Sequence, residues 1–545
     1  MNTDTSTRLL DVHFANFLAE RCKLEGDDKA RFKVIVEELS LAMDNGHSCL
    51  ELVDTDVTMV SASSLVSANE MTPLILYGNS LYLHRFFHYE SRLASQLALL
   101  AQGEREMQDE HAAKERLDEL FGPDSEEVDW QKKAAERALK KSLAIISGGP
   151  GTGKTTTVVK ILALLLMTYG TDLRMALAAP TGKAAMRLQE SIANSLANVS
   201  LPHEVLDKIP TGASTLHRLL GYRRNSPQFK HTGKNPMSWD VVVIDEASMV
   251  DLAMMSKVID GLKPGARCIL LGDKDQLASV ESGAVLLDCI KSLPENTVEL
   301  KKSYRFDSGI KKLATAINSG DGKGAWEVVA GDEVTNVSVL RNSYFDVIGG
   351  KYASYMDVVA ASGIDDPKEV FKAFADFQVL CATRHGKTGV RRVNDVVESY
   401  LKRAGYDTVA DPWYAGRPVM ITANDYSLEL FNGDVGICLP DPADGMMKVW
   451  FEKGDGTIKS CLPYRIPRCE TVFAMTIHKS QGSEFREVMV MLPEEESRLL
   501  NKQLVYTAVT RAKEFVQIVA SKKILVYALQ SDYPRSSGLS QMLLQ

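Results

Sequence analysis

The chain has 545 residues, 45% of them hydrophobic and 25% charged, with a formal net charge of −8. That length exceeds what one hydrophobic core organises, so three or four domains are expected, and the acidic balance excludes a protein that coats nucleic acid indiscriminately. Apolar stretches such as 161–167 end in polar residues, far short of the roughly 20 apolar residues of a membrane span. The start, MNTDTSTRLLDVHF, lacks the basic region and apolar run of a secretory signal, so a cytoplasmic location is expected. Eight scattered cysteines without a C-x-x-C pair read as buried free thiols rather than a metal or redox site.

Taken in chain order, residues 1–112 show helical periodicity in LLDVHFANFLAE and RFKVIVEELSLAM, followed by an apolar, aromatic-rich stretch over 74–89, and predict a mainly helical first domain without a catalytic motif. The charged segment 103–129 predicts a linking helix closed by the turn Phe121-Gly122-Pro123-Asp124. Short apolar strands then alternate with helices: LAIIS, a helix from Gly153, MALAAP, a helix from Gly182, DVVVIDEA and ARCILLGD. That alternation predicts a parallel sheet covered by helices, over 113–297. A second set follows in VELKKSYR, a helix through 310–317, FQVLCATR, a helix over 390–404, EVMVML and FVQIVAS, which makes a second lobe from 298–410 and 470–545. Between those parts, 411–469 changes character to short strands separated by turn pairs such as Asn432-Gly433, and predicts a small β-barrel-like insertion. Two basic tracts, 221–240 with Arg223, Arg224, Lys230 and Lys234, and 381–403 with Arg384, Lys387, Arg391, Arg392, Lys402 and Arg403, offer local cationic tracks or solvated faces.

The strand LAIIS runs into Gly148-Gly149-Pro150-Gly151-Thr152-Gly153-Lys154-Thr155-Thr156, which meets the G-x-x-x-x-G-K-[ST] pattern in its required strand–helix setting. Its glycines free backbone N–H groups to curl around phosphates at a helix N-terminus. Lys154 is expected to reach the β- and γ-phosphates of ATP, and Thr155 to bind Mg2+. Asp245, at the end of an apolar strand, is the expected second Mg2+ residue, with Glu246 orienting or deprotonating the attacking water. Arg305 and Arg511, far downstream in the second lobe, are expected as arginine fingers, which would couple cleft closure to ATP and so make the chain a motor.

With these go Gln131, APTGKAA at 179–185, TLH at 215–217, DEASM at 245–249, GDKDQL at 272–277, SYRF at 303–306, TIHKSQGSEF at 476–485 and VTRAK at 509–513. In this order they resemble the motif series of superfamily 1 helicases. GRPVMI at 416–421, LFNGDVG at 430–436 and HKSQGSEF at 478–485 are similar to the RecD branch, the alpha subunits of exodeoxyribonuclease V, over almost the whole chain. The resemblance implies two tandem RecA-like lobes, an SH3-like insertion and a 5′ to 3′ DNA helicase. It places Gln131 on adenine, Gln276 at the γ-phosphate and Glu484 near the ribose, and sets Thr181, Lys183, Thr215, His217, Thr476 and His478 along the DNA. Trp413 and Tyr414 read as core residues rather than stacking platforms. The stretch 285–300 is shorter than in some relatives. No helix-hairpin-helix pair is evident before residue 112 and no nuclease carboxylate cluster is recognisable. The expected partners are therefore single-stranded and duplex-end DNA and RecB-like and RecC-like subunits, one of which cleaves; a self-standing RecD-like helicase is the alternative.

Overall fold

The computed structural model describes residues 8–68, 71–107, 109–124, 126–223, 226, 228–302, 308–331, 333–362, 366–408, 412–425, 427–453, 456–531 and 533–545. Two parallel sheets dominate. The first has six strands in the order Thr297–Glu299, Leu143–Ser147, Arg267–Gly272, Val241–Ile244, Met175–Ala179 and Ala213–Thr215. Every neighbouring pair is parallel, and the central strands are apolar runs with no exposed position, as a sheet covered on both faces requires. The helix Lys154–Tyr169 is apolar on nearly all sides because it is enclosed on one face of the sheet, where Val158, Ile161, Leu162 and Leu165 are at most 1% exposed. The other face is covered by helices Leu252–Asp260 and Val285–Ser292 and by His84–Gln102 from the N-terminal region. Leu93 and Leu97 of that last helix are fully buried against the sheet; truncating either to alanine would cost about 2–5 kcal/mol.

The second sheet has five parallel strands in the order Val337–Val339, Ala512–Val519, Phe485–Met491, Phe377–Cys381 and Ala474–Thr476. The two-lobed α/β expectation is met. Between Cys381 and Ala474 the chain leaves this sheet and builds a five-stranded antiparallel one, Ile458–Cys461, Met447–Glu452, Val435–Pro440, Pro418–Ile421 and Cys469–Thr471. Its own small core includes Val419, Ile421, Val449 and Phe451. Gly433, in the left-handed region at φ 95°, makes the turn that the Asn-Gly pair announced.

The N-terminal region carries the expected helices Leu9–Ala19 and Gly26–Asp44, and also a mixed four-stranded sheet, Leu50–Glu51, Ser80–Leu83, Leu74–Tyr77 and Val66–Ser67. The last residues do not end on the second lobe but return to the first. Arg535 donates to the carbonyls of Ser279 (2.5 Å), Glu281 (2.8 Å) and Gly283 (3.0 Å), and helix Leu539–Leu543 packs on His84–Gln102. Beneath it lies Glu90, buried, accepting from the Ser48 and Ser537 hydroxyls and the Gly538 N–H; burial raises its pKa. All eight cysteines are free thiols, seven of them buried.

Candidate active site and the rim of strand ends

The two lobes enclose a cleft of 550 Å³, and its walls come from both. From the first lobe it receives Gln131, Pro150, Gly151, Gly153, Lys154, Thr155, Thr156, Asp245, Glu246 and Gln276, and from the second Gly482, Glu484 and Arg511. The phosphate loop is shaped by Gly151 and Gly153, at φ 75° and 80°, where a side chain would be strained. Gly148, Gly149 and Thr152 form the back of the loop: Lys154 Nζ donates to the carbonyls of Gly148 (2.5 Å) and Gly149 (3.1 Å), and the Thr152 hydroxyl donates to Gly149 (2.8 Å). Gln131 holds the loop from outside, its amide donating to the Thr152 carbonyl at 3.2 Å. A Cβ on Gly153 would collide with that amide.

Asp245 follows the strand Val241–Ile244 directly and accepts from the Glu246 N–H at 2.8 Å. Burial, and secondarily the Glu246 carboxylate, push its pKa up to about 6, against the pull of Lys154. Glu246 sits in the left-handed region at φ 51°, an uncommon backbone for a side chain this long, which turns it out of line with Asp245. Gln276 is buried beside them, donating to Asp273 at 3.1 Å.

Arg511 lies 2% exposed in the opposite wall, held by donations from Nε to Thr507 (3.1 Å) and from Nη1 to Ser483 (3.2 Å). Burial lowers its pKa while Glu246 across the cleft raises it. Arg305, with Ser303, Tyr304 and Phe306, lies outside the described residues. The lobes also touch directly. The Leu277 N–H donates to the Thr507 hydroxyl (2.9 Å), Gln481 donates to the Leu277 carbonyl (3.0 Å) and Tyr506 donates to Asp273 (3.2 Å). Arg187 forms an ion pair with Glu484 at 2.6 Å. Arg187 and Tyr506 were not singled out in the sequence. Arg187 had a usable signal, since it stands four residues after Lys183 on helix Gly182–Ala197 and so shares its face.

The six residues expected along DNA fall on the carboxyl ends of parallel strands, where open α/β sheets bind their ligands. Thr181 follows Met175–Ala179, Thr215 ends its neighbour, and Thr476 ends a strand of the second sheet. Each threonine oxygen caps a helical turn, accepting from Ala184 (3.2 Å), Arg218 (3.3 Å) and Lys479 (3.3 Å) respectively. Capping uses the oxygen as acceptor and leaves its proton free to donate outward. His217 packs edge-on to Phe229, and burial lowers the pKa of both His217 and His478, the latter with Arg535 adding to the effect. Lys183 is half-buried beneath the antiparallel insertion, with Phe431 against its neighbour Gly182. Burial and then Arg187 bring its pKa down to about 8, with Asp434 opposing. Trp413 and Tyr414 are packing residues as expected, Tyr414 only 6% exposed and donating to Glu398 at 3.0 Å.

An AAA domain family model matches residues 131–282, and a UvrD-like helicase C-terminal domain model matches 471–519. The chain is 37% identical over 561 residues to the RecBCD enzyme subunit RecD of Mycolicibacterium smegmatis, covering 98% of this chain and 97% of that one. The chain belongs to the RecD family. The Haemophilus influenzae RecBCD enzyme subunit RecD is 35% identical, covering 87% of this chain and 82% of its own. The ATP-dependent RecD2 DNA helicase of Deinococcus radiodurans is 33% identical over 378 residues, 68% of this chain but 46% of that protein. As a RecD family member the chain is an ATP-dependent helicase, and the segment matched by the AAA domain model contains its phosphate loop. No described helix is long and apolar enough to cross a membrane.

Proposed function

We propose that this chain is the RecD-like motor of a RecBCD-type helicase–nuclease in the cytoplasm, moving 5′ to 3′ on single-stranded DNA entered from a duplex end, in double-strand break repair and degradation of linear DNA. The observation that carries the motor reading is the lining of one cleft by Lys154 of the first lobe and Arg511 of the second. The near end-to-end likeness to RecBCD subunits, against less than half of the RecD2 helicase, supports the subunit form over the self-standing one.

In this reading Lys154 leaves its two loop carbonyls for the β- and γ-phosphates of ATP. Thr155 and Asp245 would hold Mg2+, which supplies charge neutralisation between those phosphates. The residues fit such an ion: Thr155, at the helix start, and Asp245, just past the strand end, line the same cleft, and Asp245 is a carboxylate whose pKa burial and then Glu246 raise. Glu246 aligns the water, Gln276 reads the γ-phosphate, and Arg511, with Arg305, stabilises transition-state charge. Glu484 turns from Arg187 to the ribose and Gln131 to adenine. Thr181, Lys183, Thr215, His217, Thr476 and His478 donate to phosphates without reading bases. The antiparallel insertion is SH3-like and braces the first-lobe helix that bears Lys183.

The decisive measurement is ATP hydrolysis by the purified chain with and without single-stranded DNA. Hydrolysis should depend on DNA and vanish in Lys154→Ala; equal rates with and without DNA overturn the motor reading. Size exclusion of a native extract tests the assembly, since a lone monomer peak overturns the complex.

A further inference from the structure

The second lobe holds a cavity of 490 Å³ outside the cleft, well inside the range of small-ligand sites. It opens at the carboxyl ends of four parallel strands. Leu340 follows Val337–Val339, Pro493 follows Phe485–Met491, Ala520 follows Ala512–Val519, and Thr388 closes the loop after Phe377–Cys381. Thr476 ends the next strand of the same sheet, in register with Cys381. Three strand spacings, roughly 14 Å, separate it from the strand that ends at Val519.

The chemistry of the cavity is that of a stacking site with cations at its mouth. Trp326 and Tyr344 contribute aromatic rings to an apolar wall, and the exposed Arg341 guanidinium stands 5.2 Å from the Trp326 ring centroid. Lys522, also exposed, opens the helix Lys522–Gln530, and neither cation has an ion pair among the described residues. The one lining carboxylate, Glu494, is already neutralised by Lys387 at 2.9 Å. Thr388, 5% exposed, closes the cavity on the side of Phe377–Cys381. An apolar wall with two aromatic residues and two cations without a carboxylate partner among the described residues, one of them resting over the Trp326 ring, match a base with an attached phosphate. They do not match an acidic peptide, which offers no ring, or a lipid surface, which needs a convex patch.

We propose that this cavity binds a nucleotide, stacked on the aromatic wall with its phosphate toward Arg341 and Lys522, and that the nucleotide belongs to the DNA strand after it passes Thr476. The inference rests on the strand path given under Proposed function. The loop 383–388 supplies the physical link, because it begins beside Thr476 and ends at the cavity wall in Thr388; its Arg384 and Lys387 are held by Glu470 (2.7 Å) and Glu494 (2.9 Å), so a strand phosphate would take them over from those carboxylates. One of the two basic tracts in the sequence thereby lies along a route between two binding points.

The test uses the full chain and fluorescein-labelled oligothymidylates of about 4 to about 16 nucleotides. Affinity should rise with length in two stages, and Arg341→Glu with Lys522→Glu should remove the second stage, weakening the longest strand about tenfold while leaving the shortest unchanged. Both residues are exposed, so folding is not at issue; Tyr344→Ala gives an independent check, and a 4-thiothymidine strand should crosslink to the peptide bearing Tyr344. An identical length dependence in the double variant and the parent overturns the proposal. Loss of the second binding equivalent of mant-AMP in the double variant, with strand binding intact, would overturn the strand as its source and assign a free nucleotide. Loss of partner-subunit capture with unchanged length dependence would instead assign a protein contact and overturn it. Should Thr476→Ala with His478→Ala leave even the shortest strand unaffected, the underlying path itself fails, a result separable from all of these.

Discussion

The nucleotide cleft and the rim of strand ends meet opposite electrostatic demands. In the cleft, full charges are kept out of water: Arg511 is 2% exposed, Asp245 is pushed up to about 6, and Glu484 is neutralised by an arginine of the other lobe. Along the rim, Lys183 apart, the polar groups are hydroxyls that already cap helices and imidazoles whose pKa burial lowers. A buried charge without its partner is costly, so the cleft concentrates its effect in a few residues. A row of mostly uncharged donors spreads it over many. The comparison teaches that chemistry and grip are built on different scales of interaction within one molecule.

The largest effect expected from this contrast is in the cleft. Arg511→Ala should lower kcat for DNA-stimulated ATP hydrolysis about 10³-fold or more with nucleotide binding retained; pre-steady-state hydrolysis with a fluorescent-nucleotide titration separates the two, and a loss under tenfold would break the comparison. Next comes pH. Asp245 takes up a proton as pH falls through about 6, so affinity for Mg2+–ATP should drop, approaching tenfold per unit below that point. The stability of the nucleotide-free protein runs the other way: the folded state binds a proton that the unfolded state has released between the ordinary carboxylate range and about 6, so stability falls as pH rises through that window and then levels. Calorimetric titration and thermal melts across it check both signs. The smallest effect belongs to the rim. Thr476→Ala should weaken DNA binding only a few-fold and remove about 1 kcal/mol of stability with the cap. Thr476→Ser should restore both; a hundredfold loss of DNA affinity from this one hydroxyl would erase the distinction between the regions.

Legibility in the sequence follows the same division. The phosphate loop was readable because its function lies in consecutive residues, and the antiparallel insertion because Asn432-Gly433 declares a turn locally. The strands of both lobes were readable where burial on both faces makes them unbroken apolar runs, as in Val241–Ile244. The N-terminal sheet was not, since strands of two to four residues are too short to display alternation. Arg187 shares a helix face with Lys183, but its partner Glu484 is distant in sequence, so the cross-cleft ion pair itself was not legible. The rim threonines were found as a set, but their capping of Ala184, Arg218 and Lys479 is also what a threonine before any helix does, so sequence alone does not separate the two roles. The return of Arg535 to Ser279, Glu281 and Gly283 depends on contacts over more than 250 residues and left no trace in composition.

That return has a mechanical meaning. The chain leaves the first lobe before Ser308 and is pinned to it again from Arg535 onward, so it crosses between the lobes twice, the second crossing fastened by hydrogen bonds and packing. Bodies fastened at a single point swing in any direction, whereas a second fastening leaves one easy freedom, rotation about the line between the two. Opening and closing about that axis would repeat along the same arc at every turnover, and severing the later fastening, by cleavage after Ser531, should leave a chain that still burns ATP but walks poorly.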